Sequence, residues 1–141
     1  MADKRTITLT GRPPVVITVE NWPLIASASD KEFDNQHEFQ ANRISKWFIG
    51  VRQHQDGDSA HADGRYIVYA TYSYESDLRG ERCYSAKNGL ILDNASDEDI
   101  CNAIQQVALA MACEECNSED GERWKTLASG CIADMPAQEL S

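Results

Sequence analysis

No stretch of this chain is apolar for as long as a membrane helix needs. The opening residues Met1-Ala2-Asp3-Lys4-Arg5-Thr6 also lack the apolar segment of an export signal. Both absences point to a soluble, cytoplasmic protein. Cysteine is present five times, an odd count with no export signal beside it, so reduced thiols are expected rather than a disulfide framework. The common catalytic signatures are missing: there is no G-x-S-x-G, no P-loop and no G-x-G-x-x-G. His54 and His61 fall in one polar loop and His37 in another polar stretch, and no carboxylate pair accompanies an identifiable nucleophile. The expectation is a non-enzymatic protein without a cofactor.

Basic residues are the most unevenly distributed shortage. Residues 1–87 carry 11 Lys and Arg against 12 Asp and Glu, whereas residues 88–141 carry 2 against 11, so −9 of the net −10 lies in the C-terminal part. Between Lys87 and Arg123 there is no basic residue. A field this one-sided repels nucleic acid and attracts basic partners, at a rate that falls with salt. The same charge also serves plain solubility.

The chain is organised around Lys46 to Ser76. Trp47-Phe48-Ile49-Gly50-Val51-Arg52-Gln53 and Arg65 to Tyr74 are rich in aromatic and β-branched residues, which suit a pleated surface. The polar residues from His54 to Arg65 between them predict a hairpin with a long tip. Before this pair, Arg5–Thr10 and Val15–Val19 read as strands separated by the turn Gly11-Arg12-Pro13-Pro14. Leu24–Ser29 reads as a further extended segment, Asp30–Gln36 as loop, and Glu38–Ile44 as a possible continuation of the sheet. Cys83–Lys87 and Gly89–Leu92 read as one or two short final strands.

The period then changes. Ser96 followed by Asp97, Glu98 and Asp99 is a helix start, with a hydroxyl for an orphan N–H and carboxylates at the positive end of the dipole. Ile100, Ile104, Val107, Ala108 and Met111 form one apolar stripe, and the helix is expected to end near Cys116, with Asn117–Gly121 as the break. Trp124, Leu127, Ala128 and Cys131 suggest a second, shorter helix. Strands first and helices last predict an α+β fold: an antiparallel sheet of five or six strands with one or two C-terminal helices packed on one face. A single domain follows, with residues 1–92 β-rich, 96–134 acidic and helical, and 135–141 a tail. At 141 residues it buries about two-thirds of its unfolded surface and needs no staple. The second sheet face is left to neighbouring chain, to another subunit of a homodimer, or to an aromatic surface.

Four groups of residues carry candidate chemistry. Cys113-Glu114-Glu115-Cys116 is a C-x-x-C, but it ends a helix beside two carboxylates, which favours neutral thiols over a redox pair. As a zinc site, Cys113, Cys116 and Cys131 with one histidine is the alternative reading. Cys101 is excluded, lying about 18 Å from Cys113 along a continuous helix. His54, Asp56, Asp58, His61 and Asp63 hold metal-ligand types. Counting twelve positions from Asp56 or Asp58 lands on Ile67 or Tyr69, however, so no EF-hand fits and a solvated loop is expected. Tyr66, Tyr69, Tyr72 and Tyr74 with Arg65, Arg79 and Arg82 could stack bases or hold a cross-strand ladder. The acidic balance argues against direct nucleic acid binding and leaves these side chains as protein-interface anchors.

The runs Thr8–Val15, Trp22–Ser29, Val51–His54 and Gly64–Ala70 resemble small uncharacterised proteins of proteobacterial phages, prophages and other mobile elements. The resemblance spans about the first two-thirds of the chain, contains no catalytic motif and transfers no functional residue. It implies a context in which small acidic proteins bind and block a host complex, as anti-CRISPR proteins do. The expected partner is therefore a host protein or protein–nucleic-acid complex with a basic surface, in the bacterial cytoplasm and not at a membrane. The contacts are expected from Asp97, Glu98, Asp99, Glu114 and Glu115, with Tyr72 and Tyr74 as apolar anchors.

Overall fold

The computed structural model describes residues 3–36, 41–55, 62–77, 83–115 and 118–137. Among the described residues six antiparallel strands form two sheets. β1 (Lys4–Ile7) and β2 (Val15–Thr18) make a small hairpin, and β3 (Leu24–Gln36), β4 (Ala41–Gln55), β5 (Ala62–Ser76) and β6 (Tyr84–Leu92) make a four-stranded meander. α1 (Asp97–Glu115) and α2 (Ser118–Ala133) follow, so the α+β order read from the sequence holds.

Strand alternation places bulk on both faces of the meander. Trp47, Ile49 and Val51 of β4 lie beside Val68 and Ala70 of β5 and Ala86 of β6 in one buried cluster. α1 covers this face over β5 and β6, and α2 covers it over β3 and β4. The stripe Ile100, Ile104, Val107, Ala108 and Met111 is buried there, together with Trp124, Leu127, Ala128 and Cys131 of α2. The opposite face carries Phe48, Ile67, Tyr69 and Ile91 and is covered by Ile7, Leu9, Ile17 and Trp22. The neighbouring chain thus supplies the second cover, giving three layers: hairpin, sheet and helix pair.

Arg52 sits between the hairpin layer and the sheet, 4% exposed. Its Nε donates to the Tyr69 hydroxyl at 3.0 Å and its Nη1 to the Trp22 carbonyl at 2.9 Å, bonds that offset part of the cost of burying the charge.

Both outer edges of the meander are partly occupied, as an exposed ladder would otherwise template aggregation. On β6, the Thr10 amide donates to the Gly89 carbonyl at 2.8 Å and the Gly89 amide to Thr10 Oγ1 at 3.3 Å, while the Thr10 hydroxyl also donates to Asn88 Oδ1. On β3, the Ser27 amide donates to Asp134 Oδ2 at 2.9 Å. Arg123 pairs with Glu32 at 2.8 Å and Asp30 at 3.5 Å while lying 3.9 Å over the Trp47 ring.

Several boundaries differ from the sequence reading. Asp30–Gln36 is strand, not loop: its ladder runs from Asp30 opposite Trp47 to Gln36 opposite Ala41. Backbone pairing with a strong neighbour overrides the poor strand propensity of Asp, Asn and Gln here. Likewise β4 and β5 run on to Gln55 and back from Ala62, shortening the expected long tip. Val19 leaves β2 and opens a 3-10 turn, Val19–Asn21. Residues 83–92 give one strand, beginning at Tyr84. The expected break at Asn117–Gly121 is mostly helix, because α2 already begins at Ser118. Ser118-Glu119-Asp120 repeats the small-polar-then-acidic pattern of the α1 start, and Gly121 is simply absorbed into the helix. Among the described residues no helix is long and apolar enough to cross a membrane.

Candidate functional site

The acidic start of α1 is built as expected. The Asp99 amide donates to Ser96 Oγ at 3.2 Å, and the Ser96 amide donates back to Asp99 Oδ2 at 3.0 Å, a reciprocal cap. The Ser96 amide first, and then the Ser96 hydroxyl, favour the ionised Asp99 carboxyl and hold it below its ordinary pKa. The cap fixes Asp99, while Asp97 and Glu98 stand exposed in the same turn. Glu114 and Glu115 end the helix, and their side chains lie outside the described residues. At 1.5 Å per residue the two acidic groups are separated by roughly 24 Å along α1, so they flank the outer helix layer and do not form one patch.

Tyr72 and Tyr74 lie toward the end of the sheet where α2 begins, on the helix-covered face. Tyr72 is half-buried between Trp47, at 5.4 Å, and Tyr84, at 6.0 Å between ring centroids, and its hydroxyl is 3.4 Å from Ser45 Oγ. This is a cross-strand aromatic ladder that holds the sheet, with only its outer member, Tyr84, substantially exposed. The four tyrosines do not make one stacking platform. Tyr69 points to the other face and is buried beneath the N-terminal hairpin, while the Tyr66 hydroxyl accepts from Gln53 Nε2 at 3.0 Å.

α1 and α2 run antiparallel, which puts Cys113 near the start of α2 and Cys131 near its far end, roughly 20 Å away by helical rise. These two thiols do not come together, and Cys116 lies outside the described residues. Among the described residues no three His, Cys, Asp or Glu are arranged to hold a metal ion. Of the polar cluster in the β4–β5 tip, His54 lies on β4 and packs against Trp22 at 4.7 Å between centroids, the rings tilted by 51°; Asp56, Asp58, His61 and the Asp63 side chain fall outside the described residues.

The thiols differ sharply. Cys131 is wholly enclosed, and burial first, then the charges of Asp134 and Cys101, push its pKa up to about 12. Cys83 and Cys113 are exposed. Alkylation of the native protein near pH 8 is therefore expected to modify Cys83 and Cys113 and spare Cys131 until the chain unfolds, as peptide mapping will read. Because the folded thiol holds its proton to higher pH than the ordinary 9.0, its contribution to stability is complete below that value. It declines as pH rises from there toward 12. Labelling of Cys131 in step with Cys113 would show that the α1–α2 layer opens readily.

Sequence reasoning passed over Leu109, which is 64% exposed on the outer side of α1. Its signal was there to read: it falls outside the apolar stripe of the same helix, on a face otherwise polar or small. Comparison with family models, curated proteins and solved structures found no match for this chain.

Proposed function

We propose that this protein is a non-enzymatic binding protein, a mobile-element inhibitor of the anti-CRISPR kind, acting in the bacterial cytoplasm. Its acidic helical layer occupies a basic, nucleic-acid-binding surface of a host complex through protein–protein contact. The observation that carries this reading is the segregation of charge. Of the −9 of residues 88–141, α1 and α2 carry −6, eight Asp and Glu against Arg123 and Lys125, and Asp97, Glu98 and Asp99 are all exposed there. Opposed surface charge of this kind sets encounter rate and salt dependence more than it sets final affinity.

The test begins with capture from a proteobacterial host lysate at low and high salt. A nucleic-acid-binding complex that is released by salt, and displaced by added DNA, is the expected catch. Replacing Asp97, Glu98 and Asp99 together by lysine is then expected to weaken its binding at low salt by about tenfold or more and to flatten the salt dependence. Reversal of Asp97 and Glu98 alone, which leaves the Ser96–Asp99 cap intact, separates lost charge from a frayed helix. Affinity unchanged in both variants would remove the electrostatic basis of the proposal.

A further inference from the structure

The outer surface of the helix pair has a groove. Leu109 and Ala112 of α1 face Trp124 and Ala128 of α2 across a trough of about 480 Å³, with Gln105 and Lys125 on its rim. Leu109 is the one large apolar side chain that the two helices leave exposed among their described residues. The floor is otherwise small: Ala108, Ala112, Gly121 and Ala128 carry little or no side chain, so an approaching backbone can come close. Helix grooves of this kind take an amphipathic helix whose apolar residues recur at three- and four-residue spacing.

The helix ends beyond the trough carry acidic residues in sequence. Asp97, Glu98 and Asp99 begin α1 at one end. At the other, Glu114, Glu115, Glu119 and Asp120 occupy the last residues of α1 and the first of α2, and Glu122 follows one turn on. Among the described residues that line it the one cation, Lys125, is paired with Glu122 at 3.3 Å. An apolar trough between acidic helix ends matches a helix that is apolar on one face and basic on the other. It does not match a second copy of this chain, which would bring two acidic layers and two net charges of −10 together.

We infer that the α1–α2 groove is the docking site for a basic amphipathic helix of the partner protein, with Leu109 as its exposed apolar contact over a floor of small side chains. This inference rests on the acidic-surface reading above and makes it specific: charge draws the partner in, and the groove selects a helix from among basic surfaces.

The probe is a synthetic peptide of about eighteen residues, with leucine at i, i+3, i+4 and i+7 spacing and lysine on the opposite face. A peptide of identical composition in scrambled order, unable to form an apolar stripe, serves as the comparison. By fluorescence anisotropy, the amphipathic peptide is expected to bind about tenfold tighter or more than the scrambled one. Leu109→Asn, a neutral change at an exposed position, is expected to remove that preference without moving the thermal melt. Reversal of Asp97 and Glu98 is expected to weaken both peptides and reduce the salt dependence while leaving the preference. Equal binding of the two peptides, or a preference that survives Leu109→Asn, would overturn the groove and leave the acidic surface standing. Binding of neither peptide at low salt would overturn both. A concentration-dependent dimer in sedimentation that Leu109→Asn dissociates would place a second copy in the groove and overturn the inference in favour of self-association.

Discussion

Truncation of Trp124 to alanine is expected to remove about 3–5 kcal/mol of stability, the largest loss from any single side chain in the helix layer. Trp124 is 1% exposed and the bulkiest fully enclosed side chain described. It shares one cluster with Trp47, Ile104 and Met111, so it joins α2 to both α1 and the sheet. Its indole N–H has no acceptor among the described residues, so the truncation removes packing and leaves no broken hydrogen bond to add to the cost. Against the 5–15 kcal/mol available to an ordinary domain, the variant becomes marginal. Urea unfolding followed by far-ultraviolet circular dichroism measures the loss as a fall in the midpoint at constant slope. A loss below about 1 kcal/mol would mean that the helix pair is held mainly by α1.

That dependence on one stripe and its partner explains why α1 and the central strands were legible from residue order. Ile100, Ile104, Val107, Ala108 and Met111 repeat at helical spacing behind a cap, and the alternation of Trp47, Ile49 and Val51 against Phe48 assigns the two sheet faces. Each is a periodic signal that the fold then uses without change. Asp30–Gln36 carries no such signal. It is strand because β4 lies beside it and because Arg123, about ninety residues on, sets a guanidinium between Asp30 and Glu32. The start of α2 was legible in kind but misread as a stop, since a serine with acidic followers and a glycine suits either end of a helix. The candidate site was less legible still. Charge totals and helical rise locate acid at both ends of α1, but only three-dimensional packing shows the trough that lies between α1 and α2. The same packing leaves Leu109 exposed on the lining of that trough. The cysteines show the converse: a C-x-x-C and a third thiol look like ligands in one dimension, yet Cys113 and Cys131 occupy opposite ends of an antiparallel pair.

Replacing Gly89 with alanine is expected to destabilise the opposite, hairpin layer by about 1–3 kcal/mol, the range for forcing atoms into a filled interior. Gly89 lies on β6 opposite Tyr69, where the chain after β1 crosses the sheet edge. A Cβ at this position would stand 2.6 Å from the Thr8 carbonyl oxygen and 3.3 Å from both Leu9 Cδ2 and Tyr69 Cβ. The Thr8 contact is with backbone, so no rotamer change relieves it; the segment Thr8–Thr10 has to move out. Movement there breaks the bonds that Thr10 makes to Gly89 and lifts Leu9 from the cluster over Ile67 and Tyr69. The two clusters lie on opposite faces of one sheet, so the damage is expected to be local. Amide exchange in β1 and β2 accelerates more than exchange in α1, where the Ile104 cluster is untouched. Gly121→Ala gives the contrasting result. A Cβ at Gly121 meets nothing within 4 Å, and alanine in a helix is favoured over glycine by roughly 0.5–1 kcal/mol, so that variant gains stability. Equal acceleration of exchange in β1 and α1 on Gly89→Ala would show that the hairpin, sheet and helices unfold as one unit instead of two faces sharing a sheet.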